Sequence, residues 1–343
     1  MIRFCLSYLY LCLLLLNKFL FKWGIKNKFA FKSFIISVGN LSVGGAGKTP
    51  MVMYLSGLMS AEKLDHSIIS RGYKRGGRGI TLVSDKQKIV ASIKSSGDEP
   101  FLLANSLPGV PVVVGNKTAA LNLSYKLFTN PFSILDDGFQ SHEIIKNLNI
   151  LLVDLSLAFN DYCLFPRGYL RAPVSDAHRA NIVVFTKCNF ASGDAKKIEN
   201  LILSHININS SCVFKANFIL TLEKYCFQKR RFIKYKNQID NNLVAFCGVA
   251  NPQIFKKSVS LFCNRTFNTL VFQDHHSYSK KNIETIKSLL AQRNSSTILT
   301  TKKDFNKVLN YFEKFTVFVV DVKHELNNAE QFKNVFLNKI KPS

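Results

Sequence analysis

Residues 33–50 read SFIISVGNLSVGGAGKTP, an apolar run followed by a glycine-rich turn that ends Gly47-Lys48-Thr49-Pro50. Strand, loop and helix start in that order are what a nucleotide phosphate requires. Backbone N–H groups converge at a helix N-terminus, a lysine reaches the outer phosphates, and a hydroxyl serves Mg²⁺. Gly44, Gly45, Gly47, Lys48 and Thr49 supply these parts. Pro50 suits a first helical turn, whose N–H groups have no helical partner. The common pattern G-x-x-x-x-G-K-[ST] would put glycine at 42, where this chain has serine. Another small residue can be accommodated there, so Ser42, Val43, Gly44, Gly45, Ala46, Gly47, Lys48 and Thr49 are the expected ATP-binding loop.

A phosphate loop also needs an acidic residue at the end of a neighbouring strand, to hold Mg²⁺ directly or through water. FSILDDGFQ supplies Asp136 and Asp137 after an apolar run, and Asp154 after ILLV is a lesser rival. Asp-Gly is also a common turn pair, but with a phosphate loop upstream the metal reading prevails. Asp98 and Glu99 stand in the Gly/Pro-bounded stretch SSGDEP, and Asp274, His275 and His276 in FQDHHSYS. Taken alone, each of these is compatible with a surface turn. Two basic segments, SRGYKRGGRG (Arg71, Tyr73, Lys74, Arg75, Arg78) and PRGYLRAP (Arg167, Arg171), can serve as solvated loops or grip phosphate through arginine forks.

Short apolar runs alternate with helix-length segments from Phe34 onward, the mark of an α/β sheet. Strands are expected at 34–38, 67–70, 110–114, 132–135, 150–154 and 182–186. Two extended segments between 212 and 236 suggest a ribbon. A second α/β series follows, with strands at 243–247, 269–272, 297–299 and 316–320 and helices near 252–262 and 280–293. The expected division is 1–32 as a membrane-associated segment, 33–214 as a P-loop core with a mainly parallel sheet, and 215–343 as a smaller α/β domain that includes the ribbon.

The chain has 343 residues, 47% of them hydrophobic, enough for two ordinary cores and too apolar for bulk disorder. Lys and Arg number 46 against 22 Asp and Glu, a net charge of +24 that favours polyanions such as nucleic acid, anionic lipid or a phosphorylated substrate. Basic–aromatic interleaving in a recognisable nucleic-acid module is missing, so nucleic acid is not an expected partner. The eight cysteines form no C-x-x-C pair and read as thiols of a reducing compartment. FCLSYLYLCLLLL (4–16) is flanked by Arg3 and by Lys18, Lys22, Lys26, Lys28 and Lys32. It is shorter than the ~20 apolar residues of a full span, and no small-x-small cleavage site follows. An anchor in or dipping into the membrane, its basic flank on anionic lipid, fits better than a signal peptide or a core helix.

Taken together, SVGNLSVGGAGKTP, SRGY, GDEP, DDGFQ, PRGYLR, GVANPQIF and FQDHHSYS resemble, in order and approximate spacing, the tetraacyldisaccharide 4'-kinases of lipid A biosynthesis. The resemblance covers most of the chain, to about Asp304. It implies a membrane-associated kinase of two α/β domains with the active site in the cleft between them, on the cytoplasmic face of the inner membrane of a Gram-negative bacterium; separately, a monomer is expected. ATP, with Mg²⁺, would phosphorylate the 4'-hydroxyl of a tetraacyl glucosamine disaccharide 1-phosphate. By motif match Lys48 cradles the phosphates, and Thr49 with Asp136 or Asp137 organises Mg²⁺, Glu99 assisting. Asp98 is the general base supported by His275, and Arg71, Tyr73 and Arg171 contact lipid substrate. Three positions depart from the family pattern: Ser141-His142 where a His commonly comes first, Ala172 where Glu is usual, and Lys302 where Glu is common. The rival class is a membrane-associated partitioning-type ATPase, whose loop also reads G-G-x-G-K-T. Val43 stands where those proteins carry a signature lysine.

Overall fold

The computed structural model describes residues 2–229, 231–239, 242–249, 251–263 and 269–341. Ala250 of the GVANPQIF motif lies outside them. The chain forms two compact units, Met1–Phe218 with His324–Ser343, and Ile219–Lys323.

The first unit begins with helix α1 (Ile2–Lys22) and strand β1 (Phe34–Asn40), then α2 (Lys48–Ala61), β2 (His66–Ser70), β3 (Thr81–Ser84), α3 (Ile93–Ser96), α4 (Asp98–Ser106), β4 (Val112–Val114) and α5 (Lys117–Phe128). It continues through β5 (Phe132–Asp136), β6 (Leu148–Asp154), β7 (Ile182–Thr186), α6 (Ala195–Leu203) and the start of β8 (Val213–Cys226). The strand order is β3-β4-β2-β5-β1-β6-β7-β8. All neighbours are parallel except β3, which runs antiparallel on β4. Layers cover both faces, which is why β1 is apolar almost throughout. Ile36 and Val38 pack with Met51 and Leu55 of α2, while Ile35 packs on the other face with Ala120 and Leu121 of α5.

The second unit contains the rest of β8, β9 (Arg231–Lys234), β10 (Val244–Cys247), α7 (Pro252–Phe262), β11 (Thr269–Val271), α8 (Lys280–Gln292), β12 (Thr297–Thr301), α9 (Lys302–Val308) and most of β13 (Thr316–Leu326). Its strands run β11-β10-β12-β13, all parallel, and β9 pairs antiparallel with the end of β8 as the expected ribbon.

The chain leaves the first unit within β8 and returns within β13. Helix α10 (Ala329–Ile340) therefore packs with the phosphate-loop unit, not with the residues that precede it. Phe332, Phe336 and Ile340 join Ile36, Val38 and Met51 in one core. Burying each such side chain contributes about 1.5–3 kcal/mol, which is what draws the C-terminal helix back. Strand β3 was not expected from the sequence; it is short and half-buried, and its pairing to β4 shifts register after Leu82.

Candidate active site

The parallel register sets the site. Val38 pairs with Asp136, so the loop after β1 and the loop after β5 leave the carboxyl ends of adjacent strands side by side. Ligands of open α/β sheets bind at such ends. The two loops touch closely. A Cβ at Gly39 would lie 2.6 Å from the Phe139 Cβ, and one at Gly138 would lie 2.7 Å from the Ser37 Oγ. Gly138 donates its N–H to the Val38 carbonyl at 3.0 Å.

Gly44 and Gly47 have φ of +103° and +88°, the left-handed region that glycine enters without strain. Ser42 is not among the positive-φ residues. Instead it forms an antiparallel bridge with Leu170, flanked by Val43 N–H to the Tyr169 carbonyl (2.7 Å) and Arg171 N–H to the Leu41 carbonyl (2.8 Å). Extended backbone suits serine, which explains why position 42 does not need glycine. The buried Ser42 also accepts from Asn40 Nδ2, at its carbonyl oxygen (2.8 Å) and at its hydroxyl (3.2 Å).

Charged groups converge where β1 and β5 end. Lys48 Nζ donates to Asn40 Oδ1 at 3.2 Å and lies 3.8 Å from Asp137 Oδ1. Arg171 grips Asp137 with both terminal nitrogens, one bond measuring 2.7 Å, and donates to Asn40 Oδ1 at 2.6 Å. Lys117 donates to the Asp137 carbonyl, and to Ser141 Oγ at 3.3 Å. Gln140 Nε2 donates to the Asn40 carbonyl at 2.6 Å. Burial alone would raise the pKa of Asp137, but Lys48, Arg171 and Lys117 outweigh it and hold that carboxyl well below the usual range. Burial, Glu99 and Asp137 push the neighbouring Asp136 up to about 7, against Lys48 and Lys117. Ser70 Oγ donates to Asp136 Oδ2 at 3.1 Å. Of the two carboxyls, Asp137 is already gripped by Arg171, whereas the pKa of the buried Asp136 is raised mainly by desolvation, with Glu99 and Asp137 adding repulsion.

Asp98 and Glu99 occupy the first turn of α4, after Gly97, whose φ is +91°. The Arg71–Arg75 turn packs beneath them: a Cβ at Gly97 would lie 3.4 Å from the Tyr73 carbonyl, and one at Gly72 would lie 2.9 Å from the Ser96 carbonyl. Arg71 and Tyr73 are exposed, and Lys74 Nζ sits 5.5 Å from the Tyr73 ring centroid. Lys48, Thr49, Asp98, Glu99, Asp136, Asp137, Arg71, Tyr73 and Arg171 thus all belong to the first unit. His275 belongs to the second. There it has a left-handed φ of 61° and lies 3.7 Å from Asp274, which in turn accepts from Lys303 at 3.1 Å.

Asn40, Lys117 and Gln140 were not singled out in the sequence as charge-site residues. Asn40 ends an apolar strand and Lys117 opens a helix behind an Asn116 cap, both ordinary contexts. The departures from the family pattern now have surroundings. Ser141 receives Lys117. Burial and nearby Arg179 and Lys146 lower the pKa of His142 to about 4. Lys302 is a mostly buried cation bonded to Glu223 (2.7 Å) and Asp321 (2.8 Å).

Among the described residues, no group of three or more His, Cys, Asp or Glu side chains is placed to hold a metal by itself. Mg²⁺ binds through one or two carboxylates plus substrate phosphates. The buried Asp136, with the repelling carboxylate of Glu99 nearby, offers hard oxygen donors that fit that ion.

Comparison with known proteins agrees with this geometry. The family described as tetraacyldisaccharide-1-P 4'-kinase matches residues 2–341. A tetraacyldisaccharide 4'-kinase of Halothermothrix orenii is 31% identical over 310 residues, 87% of this chain and 80% of the relative. One from Flavobacterium psychrophilum is 30% identical over 334 residues, covering 96% and 93%. A crystal structure of LpxK from Aquifex aeolicus in complex with ATP superposes with a TM-score of 0.77 at 27% identity, covering 98% of both chains. With a family match across nearly its whole length, a phosphate loop at the carboxyl end of β1 and a matching solved fold, this chain belongs to the tetraacyldisaccharide-1-P 4'-kinase family.

Proposed function

We propose that the protein transfers the γ-phosphate of ATP to the 4'-hydroxyl of a tetraacyl glucosamine disaccharide 1-phosphate. The observation that carries the reading is the cluster of Lys48, Asn40, Asp137 and Arg171 at the mouth of a glycine-rich loop, in a chain of this family. A partitioning-type ATPase would not account for the family match.

In this reading the Gly44–Thr49 backbone receives the phosphates, and Lys48 neutralises charge that develops on the transferring group. Mg²⁺, when bound, would neutralise phosphate oxygens; Asp136, Glu99 and Thr49 are the residues assigned to hold it. Asp137 keeps Lys48 and Arg171 oriented. Asp98 takes the proton of the acceptor hydroxyl, and His275 is assigned the support of that base. Arg71, Tyr73 and Arg171 are assigned to the lipid substrate, whose 1-phosphate suits guanidinium groups.

Helix α1 supports a seat on the anionic cytoplasmic face of the inner membrane of a Gram-negative bacterium. Among the described residues it is the helix long and apolar enough to cross a membrane by length and composition. Three of its polar side chains, however, face protein. Ser7 Oγ donates to the Leu164 carbonyl (3.0 Å), Tyr10 OH to the Arg171 carbonyl (3.0 Å), and Lys18 pairs with Asp176. Leu6, Leu9, Leu13 and Leu16 point outward, each 46–58% exposed. Bonds to protein at Ser7, Tyr10 and Lys18 with leucines outward support a helix that lies in the interface.

The test is an assay in detergent micelles with disaccharide 1-phosphate lipid, ATP and Mg²⁺. A 4'-phosphorylated product is expected; its absence with wild-type protein would sink the proposal. Asp98→Ala is expected to lower kcat by ~10²-fold or more, in the range of lost acid–base catalysis, while ATP still binds. If Asp98 and His275 act as a unit, the double variant loses little more than Asp98→Ala alone. Unchanged turnover in Asp98→Ala removes Asp98 from the base role.

A further inference from the structure

The two places where the chain crosses between units meet at one residue of the nucleotide loop. Phe218 is the last residue of the first unit before the chain leaves it, and His324 is the first after its return. Their rings pack edge to face with centroids 5.0 Å apart. A Cβ added at Gly47 would lie 2.6 Å from His324 Nε2 and 2.7 Å from Phe218 Cζ, so the loop's last glycine rests directly on this pair. The buried His324 holds it by a hydrogen bond, with Nε2 2.8 Å from the Gly47 carbonyl oxygen.

A carbonyl only accepts, so Nε2 carries the proton and the imidazole is the neutral Nε2–H tautomer. Its Nδ1 is buried with no hydrogen-bond partner among the described residues. Protonation would place a second N–H in that apolar setting, with Lys187 nearby adding repulsion. Gly47 O also accepts from Met51 N–H at 3.0 Å, the first backbone bond of α2. Thr186 Oγ1 donates to the Ala46 carbonyl one residue earlier, at 3.0 Å. The backbone just before Lys48 is therefore fixed from beneath at two successive carbonyls, by side chains that have no place in the phosphate-loop pattern.

We infer that His324, seated on Phe218, is a positioning residue that holds the Gly47 carbonyl and so sets the phosphate-binding N–H groups and Lys48, linking ATP occupancy to the two crossing strands. The inference rests on the phosphate loop binding ATP. It requires no contact between His324 and the nucleotide, and linkage makes it reciprocal: what the imidazole does for ATP, ATP does for the strands.

The test compares His324→Phe, which keeps an aromatic ring and loses the donor, with His324→Gln, which restores an N–H. In His324→Phe the Kd and KM for ATP are expected to rise about five- to tenfold, the worth of one neutral hydrogen bond. The KM for lipid acceptor should stay within twofold, and His324→Gln should recover most of the ATP affinity. By hydrogen exchange, ATP should protect amides at 217–219 and 323–325 in the wild type and lose that protection in His324→Phe. Unchanged ATP affinity in His324→Phe overturns the inference, as does an equal rise in both KM values, which would mean general damage. If His324→Phe does not fold, His324→Gln and His324→Leu are compared, and equal ATP affinity in those two overturns it. Failure of the wild type to bind ATP is a different result, seen before any variant is made, and counts against the function proposed above.

Discussion

Single residues decide how charge is distributed here, and their partners were the least legible part of the sequence. Lys48, Asp136 and Asp137 could be picked out because phosphate loops need a lysine and a nearby strand-end carboxylate. Asn40, Lys117 and His324 could not, because Asn at a strand end, Lys in a first turn and His in a strand each have many ordinary uses. Their roles come from register and chain return, which no local spacing records. Lys302 teaches the same lesson from the other side. Noted in the sequence only as a departure from the family pattern, it sits between the mostly buried Glu223 and Asp321. Removing a buried partner while leaving its opposite charges in place is costly. Lys302→Met is therefore expected to destabilise the second unit by ~3–5 kcal/mol, read as a lower denaturant midpoint with unchanged slope. A change below ~1 kcal/mol, the usual ceiling for a solvent-exposed pair, would show that water screens this network after all.

At the scale of elements, the sequence was far more readable. The apolar runs read as 34–38, 132–135, 150–154 and 182–186 became β1, β5, β6 and β7 with ends shifted by a few residues, because strands covered on both faces must be apolar throughout. Helix α7 starts at Pro252 and is capped by Asn251. What could not be read was which element packs with which: α10 follows the second unit in sequence and completes the core of the first. Helix α1 turns Ser7, Tyr10 and Lys18 to protein and Leu6, Leu9, Leu13 and Leu16 outward. Replacing Leu9, Leu13 and Leu16 together by serine is expected to release the protein from anionic vesicles by at least tenfold, since each leucine buried in lipid is worth ~1.5–3 kcal/mol. The turnover of micellar substrate should change much less. Retention of the triple variant on vesicles, judged by co-sedimentation, would mean that another surface holds the membrane.

Over the whole molecule, the buried titratable groups set how stability responds to acid. Burial lowers the pKa of His66, and brings those of His142 and His324 to about 4. In the unfolded chain they take protons near pH 6.5; the folded chain resists. Their contribution is present above about pH 6.5 and is lost as pH falls toward 4. Asp136 works in the opposite direction: its folded pKa is raised to about 7, so its contribution is present below the ordinary carboxylate range and is lost as pH rises through 7. The apo protein carrying Asp136→Asn should therefore lose thermal stability monotonically from pH 7 to 5, and His324→Phe in that background should flatten the slope. A slope that does not respond to His324→Phe would place that imidazole in contact with solvent. Finally, the strip 164–171 has two faces with different tenants. Leu164 and Arg171 carbonyls receive Ser7 and Tyr10 of the outward-greasy helix, while Tyr169 and Leu170 are stitched to Val43 and Ser42 of the nucleotide loop. One short strip thus bonds both the apolar N-terminal helix and the nucleotide loop, so that on the membrane seat proposed above it would fix how far the phosphate-binding loop stands from the lipid.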